Sequence, residues 1–325
     1  MAWRLKLVPE TTKFNFFRWQ WLTFGGSIVL MVVAIAAWAF MGLNFGIDFK
    51  GGTTIRTDST TAIDVGAYRT ALSGLDVGDV AITEVFDPSF RDNQHVAQVR
   101  IGAQDGYEAV TPETLASVEG ALVALDPALK VVSVESVGPK VSAELVWTSI
   151  MAVAATSIGV LIYIWLRFEW QFALGGVLAL LHDMIIVIGL FAVFQWKFDL
   201  TIVAALLTIL GYSINDTVVV FDRLRENLVK YKSMPLREVM NLSVNETLSR
   251  TIMTSGTTLM ALGAMLIWGG DVIRGFSLAI FIGVILGTYS SVYVAKNIVL
   301  FIGLDRSDKP KGGKGTPAEY ANIDA

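Results

Sequence analysis

The chain has 325 residues, is 54% hydrophobic and carries a formal net charge of −4. It holds no cysteine and two histidines, His95 and His182, so disulfides, cysteine zinc sites and thiol catalysis are excluded. Several windows of about 20 residues are almost free of charge, the signature of membrane helices.

Residues 1–19 read as a basic arm containing Arg4, Lys6, Lys13 and Arg18. A first span follows at 20–43. Its uncharged run continues to Asp48 and is longer than a signal-peptide core, so a retained helix is expected although AIAAWA has a cleavage-like composition.

Segment 44–143 changes to soluble patterning. TTIRTDS, AITEVFD, HVAQVRIG and KVVSVESVG alternate as strands, with the turn PSFRDN between the middle two. AIDVGAYRTALSGL has helical spacing. TPETLASVEGALVAL places Thr111 as an N-cap with Pro112 at the first helical position. The order β-α-β-β-α-β predicts an α+β ferredoxin-like domain. That fold hosts many functions, and nothing in this segment reads as catalytic. His95 reads as a solvated strand residue.

Five more spans are predicted at 144–166, 172–195, 199–221, 248–269 and 273–303. The connection 222–247 reads as an amphipathic helical pair broken near Met234–Pro235. It would anchor to anionic headgroups or dock a partner. Residues 304–325 read as a flexible tail. Lys and Arg cluster in the arm, at Arg167, at Arg223, Arg225, Lys230, Lys232 and Arg237, and in the tail. The alternate loops hold only Lys197, and Asp271 with Arg274. This places both termini in the cytoplasm and 44–143 outside.

No phosphate-binding loop, metal-ligand spacing or nucleophile–base pair occurs. The chain is therefore expected to be no enzyme and to need no cofactor. An ion gradient is the remaining energy source for a membrane machine.

Polar residues inside the spans carry the functional reading, because they are costly there. Thr208, Tyr212 and Asp216 are spaced by four, flanked by Ser213 and Asn215. Arg250, Thr254, Thr257 and Thr258 form a second stripe. Ser243 and Glu246 match a capping box, so that helix would begin before Arg250. Arg250 then either pairs with Asp216 or snorkels to the interface. His182 and Asp183 form either a packing pair or part of a proton path. Gly283 and Gly287, like Gly175 and Gly176, suit close helix packing.

FGIDFKGGT after the first span, VGPKVSAEL entering the second, LHD in the third and GYSINDTVVVFDRLREN in the fourth resemble the SecF family. Those proteins are accessory subunits of the bacterial protein-export translocase and belong to the RND superfamily. The resemblance covers nearly the whole chain. It implies half of an RND-type transporter, a multi-pass inner-membrane location, and proton flow coupled to late steps of preprotein export on the outer side. It places the proton-coupling aspartate at Asp216 and the functional arginine at Arg250, in LSRTIMTS. A hinge-like junction falls on Asp48 to Gly52, including Gly51 and Gly52. It carries no role onto His182 or Asp183. The implied partners are SecD, the SecYEG core translocase, YajC, YidC, unfolded preprotein and membrane lipids, with no nucleic acid. On the residues alone, an RND-type small-molecule exporter half and a non-transducing scaffold remain as alternatives. A helix movement that changes the Asp216–Arg250 distance would change proton affinity by about 1.4 kcal/mol per pKa unit. A membrane potential adds about 2.3 kcal/mol per charge per 100 mV.

Overall fold

The computed structural model describes residues 12–304, apart from 76, 79, 86, 88, 89 and 103–109. The predictions for the first eleven residues, for 305–325 and for part of the PSFRDN turn lie outside the described residues. In chain order the elements are α1 (Gln20–Met41), β1 (Asn44–Phe45), α2 (Ile47–Lys50), β2 (Gly52–Ser59), α3 (Val65–Leu72), β3 (Val80–Val85), β4 (His95–Ile101), α4 (Pro112–Leu125), β5 (Lys130–Val137), α5 (Pro139–Arg167), α6 (Trp170–Val193), β6 (Lys197–Phe198), α7 (Leu200–Lys230), α8 (Leu236–Trp268) and α9 (Asp271–Ser290). A π-helical turn, Ser291–Ala295, leads into α10 (Lys296–Ile302).

Between α1 and α5, strands β2 to β5 form an antiparallel sheet in the order β3-β4-β2-β5. Helices α3 and α4 cover it, giving the predicted ferredoxin-like arrangement. Thr111 caps α4 by accepting from Thr114 N at 3.2 Å, and Asp64 caps α3 by accepting from Gly66 N at 2.8 Å. Alternation turns Ile55, Ala97, Val99 and Ile101 toward Tyr68, Leu72, Val118 and Leu122 in one buried core. Each fully buried Leu or Ile contributes about 1.5–3 kcal/mol. His95 is half-buried, with Nδ1 3.5 Å from Glu84, so it is not the free, solvated residue expected from sequence.

Among the described residues, six helical stretches are long and apolar enough to cross a membrane; α9, the π turn and α10 together make the sixth. Helix α6 is enclosed nearly all round, with Leu180, Val187 and Phe191 buried. Helices α1 and α5 instead turn Val29, Leu30, Ile158 and Leu166 outward, as lipid-facing helices do. Close approach is set by glycine. A Cβ on Gly283 would collide with Ile209, one on Gly287 would lie 3.0 Å from Ser213, and one on Gly175 would lie 2.7 Å from Val299.

The connection 222–247 is helical on both sides of a break at 231–235, near the expected Met234–Pro235, and its two arms are the continuous ends of α7 and α8. Pro235 disfavours helix at the residue before it, so α8 starts there. Ser243 and Glu246 consequently lie inside α8 and do not cap it. Ser243 Oγ donates to Val239 O, and Asn227 Nδ2 donates to Ser243 Oγ at 3.0 Å and to Glu246 at 2.6 Å. Arg223 Nε also donates to Glu246, at 2.7 Å. These contacts join the end of α7 to the start of α8.

The part of the arm before α1 lies along α8. Phe14 N donates to Asn245 Oδ1 at 2.8 Å, and Phe16 N donates to Asn241 Oδ1 at 2.9 Å. Lys296 Nζ sits 3.8 Å from the Phe17 ring centroid. The two asparagines are one turn apart and fit backbone groups two residues apart in the arm.

Candidate functional site

The site is built on α7, which is flanked by α8 and α9. Asp216 is 3% exposed and, among the described residues, accepts one hydrogen bond, from Ser255 Oγ at 3.4 Å. Ser255 Oγ also lies 2.7 Å from Thr288 Oγ1, and Tyr212 OH donates to Ser255 at 3.5 Å. One hydroxyl of α8 thus links a carboxylate of α7 to a hydroxyl of α9.

Arg250 does not meet Asp216 in this conformation. It is exposed, and among the described residues no ion pair joins the two. The inward face of α8 is Ser243, Thr247, Thr251 and Ser255, all buried and spaced by four. Arg250 lies one residue off that stripe, about 100° around the helix. Thr254 donates back to Arg250 O at 3.1 Å, and Thr257 and Thr258 likewise bond to carbonyls of their own helix. Thr208 and Asn215 are exposed. Of the predicted α7 stripe only Tyr212, Ser213 and Asp216 turn inward. The contributions of Thr251, Ser255 and Thr288 were missed, although the four-residue spacing from Ser243 to Ser255 was readable in the sequence.

A second polar cluster lies against α7. Asp183 on α6 is fully buried. Its Oδ2 accepts from Ser213 Oγ at 2.8 Å and from Ser290 Oγ at 2.7 Å, and its Oδ1 lies 2.9 Å from His182 Nδ1. The His182 ring stacks on Tyr289 at 6.3 Å. Tyr289 OH donates to Thr23 O of α1 at 2.8 Å.

The junction with the sheet domain is tied to the start of α7. Asp48 Oδ2 accepts from Leu200 N at 3.0 Å, occupying a free donor of that helix end. Strand β1 pairs in parallel with β6, and Gly46 N donates to Phe198 O at 2.9 Å. Phe45, Phe49 and Phe198 pack edge to face or tilted around this pair. Gly51 and Gly52 have φ of 73° and 119°, which side-chain-bearing residues rarely adopt. Arg100 Nη1 donates to Phe45 O at 2.9 Å. At the loop before α9, Asp271 N donates to Asp87 Oδ2 at 2.6 Å, and Arg56 lies 3.6 Å from Asp271. The domain is therefore held at two places in this conformation. Among the described residues no group of three His, Asp or Glu side chains is placed to hold a metal ion.

The family model for the C-terminal part of SecD/SecF protein export membrane proteins matches residues 117–305, and that for the SecD/SecF GG motif matches 36–62. The chain is 66% identical to the protein translocase subunit SecF of Cereibacter sphaeroides, with all of both chains covered. It is 68% identical to that of Rhodobacter capsulatus over 96% of this chain and 95% of the relative. It is similar to the crystal structure of SecDF, a translocon-associated membrane protein from Thermus thermophilus, with a TM-score of 0.80 and 35% identity. That match covers 91% of this chain and 39% of the SecDF chain, so this chain spans well under half of that protein. The SecDF of Brucella abortus is 36% identical, with 98% of this chain and 41% of the relative covered. The chain belongs to the SecF branch of the SecD/SecF family of protein export membrane proteins.

Proposed function

We propose that this chain is the SecF-type subunit of a protein translocase, acting with SecD to couple inward proton flow to late steps of export on the outer side. In this reading it catalyses no reaction and needs no cofactor. It sits in the inner membrane with both termini in the cytoplasm, near SecYEG, YajC and YidC. The fused SecDF relatives support the pairing with SecD, since there one chain carries both halves.

Asp216 is the observation that carries the proton reading. It is a nearly buried carboxylate within a span, and its one hydrogen bond is 3.4 Å long. So little compensation does not suit a permanently ionised group. A residue that binds and releases a proton as helices move fits the place. Arg250 is then the mobile counter-charge, one residue off the inward stripe and about 100° of rotation away. A scaffold has no use for such a carboxylate.

The test is proton-gradient-dependent preprotein release in vesicles holding this chain, SecD and the core translocase. Asp216→Asn keeps the shape of the acid but cannot exchange a proton. It is expected to assemble and to lose gradient-dependent release. Full release with the complex intact would refute the proton role and favour a scaffold. Drug sensitivity without a secretion defect would favour an exporter. For orientation, a reporter fused after residue 100 should report the outside and one after residue 235 the cytoplasm. A cytoplasmic signal at 100 would overturn the topology.

A further inference from the structure

We propose that Asp183 is a positioning residue for the proton-coupling carboxylate. It ties Ser213 of α7 and Ser290 of α9 to α6, and so fixes the turn of α7 that carries Asp216. The proposal rests on the reading of Asp216 given above.

The geometry provides two routes from Asp183 to Asp216. The first runs along α7. Ser213 donates to Asp183 Oδ2 at 2.8 Å and precedes Asp216 by three residues, less than one helical turn. Gly287 of α9 packs directly on Ser213, since a Cβ there would lie 3.0 Å from both the Cβ and the Oγ of Ser213. The second route runs through α9. Ser290 donates to the same Oδ2 at 2.7 Å, two residues after Thr288. Thr288 lies 2.7 Å from Ser255, the hydroxyl that donates to Asp216. Fixing α9 therefore also fixes the Ser255 hydroxyl.

The His182 side completes the anchor. Nδ1 is engaged by Asp183 Oδ1 at 2.9 Å, and the ring is stacked on Tyr289, whose hydroxyl reaches α1. Three helices thus meet at one fully buried carboxyl group, which anchors Ser213 and Ser290, and α1 joins through Tyr289. Both Asp183 oxygens are engaged. The proton between Asp183 Oδ1 and His182 Nδ1 can sit on either atom with both serine bonds to Oδ2 intact, so the anchor holds in either state, whereas a proton on Asp216 alters its one long bond. Asp183 is therefore assigned to holding the helices, and Asp216 to exchanging the proton.

The experiment uses the full complex in vesicles, with coupled release and infrared difference spectra as readouts. Asp183→Asn keeps one acceptor oxygen and is expected to retain about a tenth or more of wild-type coupled release, since interhelical hydrogen bonds in membranes have modest individual weights. Ser213→Ala and Ser290→Ala are each expected to lower release about threefold. The carbonyl-stretch band of a protonated carboxyl should vanish in Asp216→Asn and persist in Asp183→Asn with its frequency shifted, a shift that a role confined to stability would not produce. If Asp183→Asn fails to assemble, the two serine variants decide. Abolished release or a lost band in assembled Asp183→Asn would overturn the assignment, and so would full release in both serine variants. Full release in Asp216→Asn would show instead that the proton reading itself had failed, and the positioning role would fall with it.

Discussion

Asp183 and Asp216 are both carboxylates inside spans and both essentially buried, the first on α6 against α7 and the second on α7 itself. Asp183 has a histidine nitrogen and two serine hydroxyls within 2.9 Å, while Asp216 has one hydroxyl at 3.4 Å. Burial therefore does not separate their roles, and hydrogen-bond supply does. A buried polar group that is fully partnered specifies a packing arrangement. One left nearly bare has an energetic reason to change its charge or its surroundings.

The comparison breaks most sharply at Arg250. If Asp216 is the mobile charge, Arg250→Met should abolish most gradient-dependent release, because the ionised form loses its counter-charge. Arg250→Lys should keep part of it, since the charge stays while the planar donor fork is lost. Both are measured as preprotein release in the vesicle system. Full activity in Arg250→Met would leave Arg250 as an interface residue.

A smaller effect concerns stability. Asp183→Ala removes up to three interhelical or neighbouring bonds and should destabilise the chain by about 2 kcal/mol. Asp216→Asn should change stability by less than about 0.5 kcal/mol. Thermal unfolding of the purified chain in detergent checks both. Equal losses would erase the distinction drawn from hydrogen-bond supply.

The smallest effect sits outside the membrane. Asp126, in the loop after α4, is a partnered carboxylate within reach of solvent. The Ser59 hydroxyl and the Ala128 amide hold its pKa below the ordinary carboxylate value. A depressed folded-state pKa contributes stability that is fully present above the ordinary value of about 3.9 and is lost as pH falls through the lower, folded-state value. Protection of the β2 amides in the full chain, taken as the intrinsic exchange rate at each pH divided by the observed one, should therefore stay steady from neutral pH down to about 4 and fall below it. Ser59→Ala should blunt that fall. An unchanged acid limb in Ser59→Ala would show that the hydroxyl does not set the shift.

Periodicity made much of the architecture legible. Long apolar runs marked the six spans, alternation marked β2 to β5, and Thr111–Pro112 marked the start of α4, because these signals depend only on residues near one another in the chain. The start of α8 was misjudged for the same reason. Ser243 and Glu246 satisfy a local capping pattern, yet Asn227 and Arg223 of α7 claim them across the helix pair. A pattern within one segment carries no record of a competing partner sixteen to twenty-three residues away.

The sequence by itself determined that Asp216 would be buried in a span, that His182 and Asp183 would share one, and that small residues in α9 would permit close approach. Only the tertiary structure decided which hydroxyls reach which carboxylate. Helix rotation assigns the inward stripe, and a displacement of one residue, about 100°, separates exposed Arg250 from buried Thr251. Helix α9 packs on α7 at Gly283 and Gly287, against Ile209 and Ser213, and α8 meets both through Ser255, so side chains from different helices must fit together there.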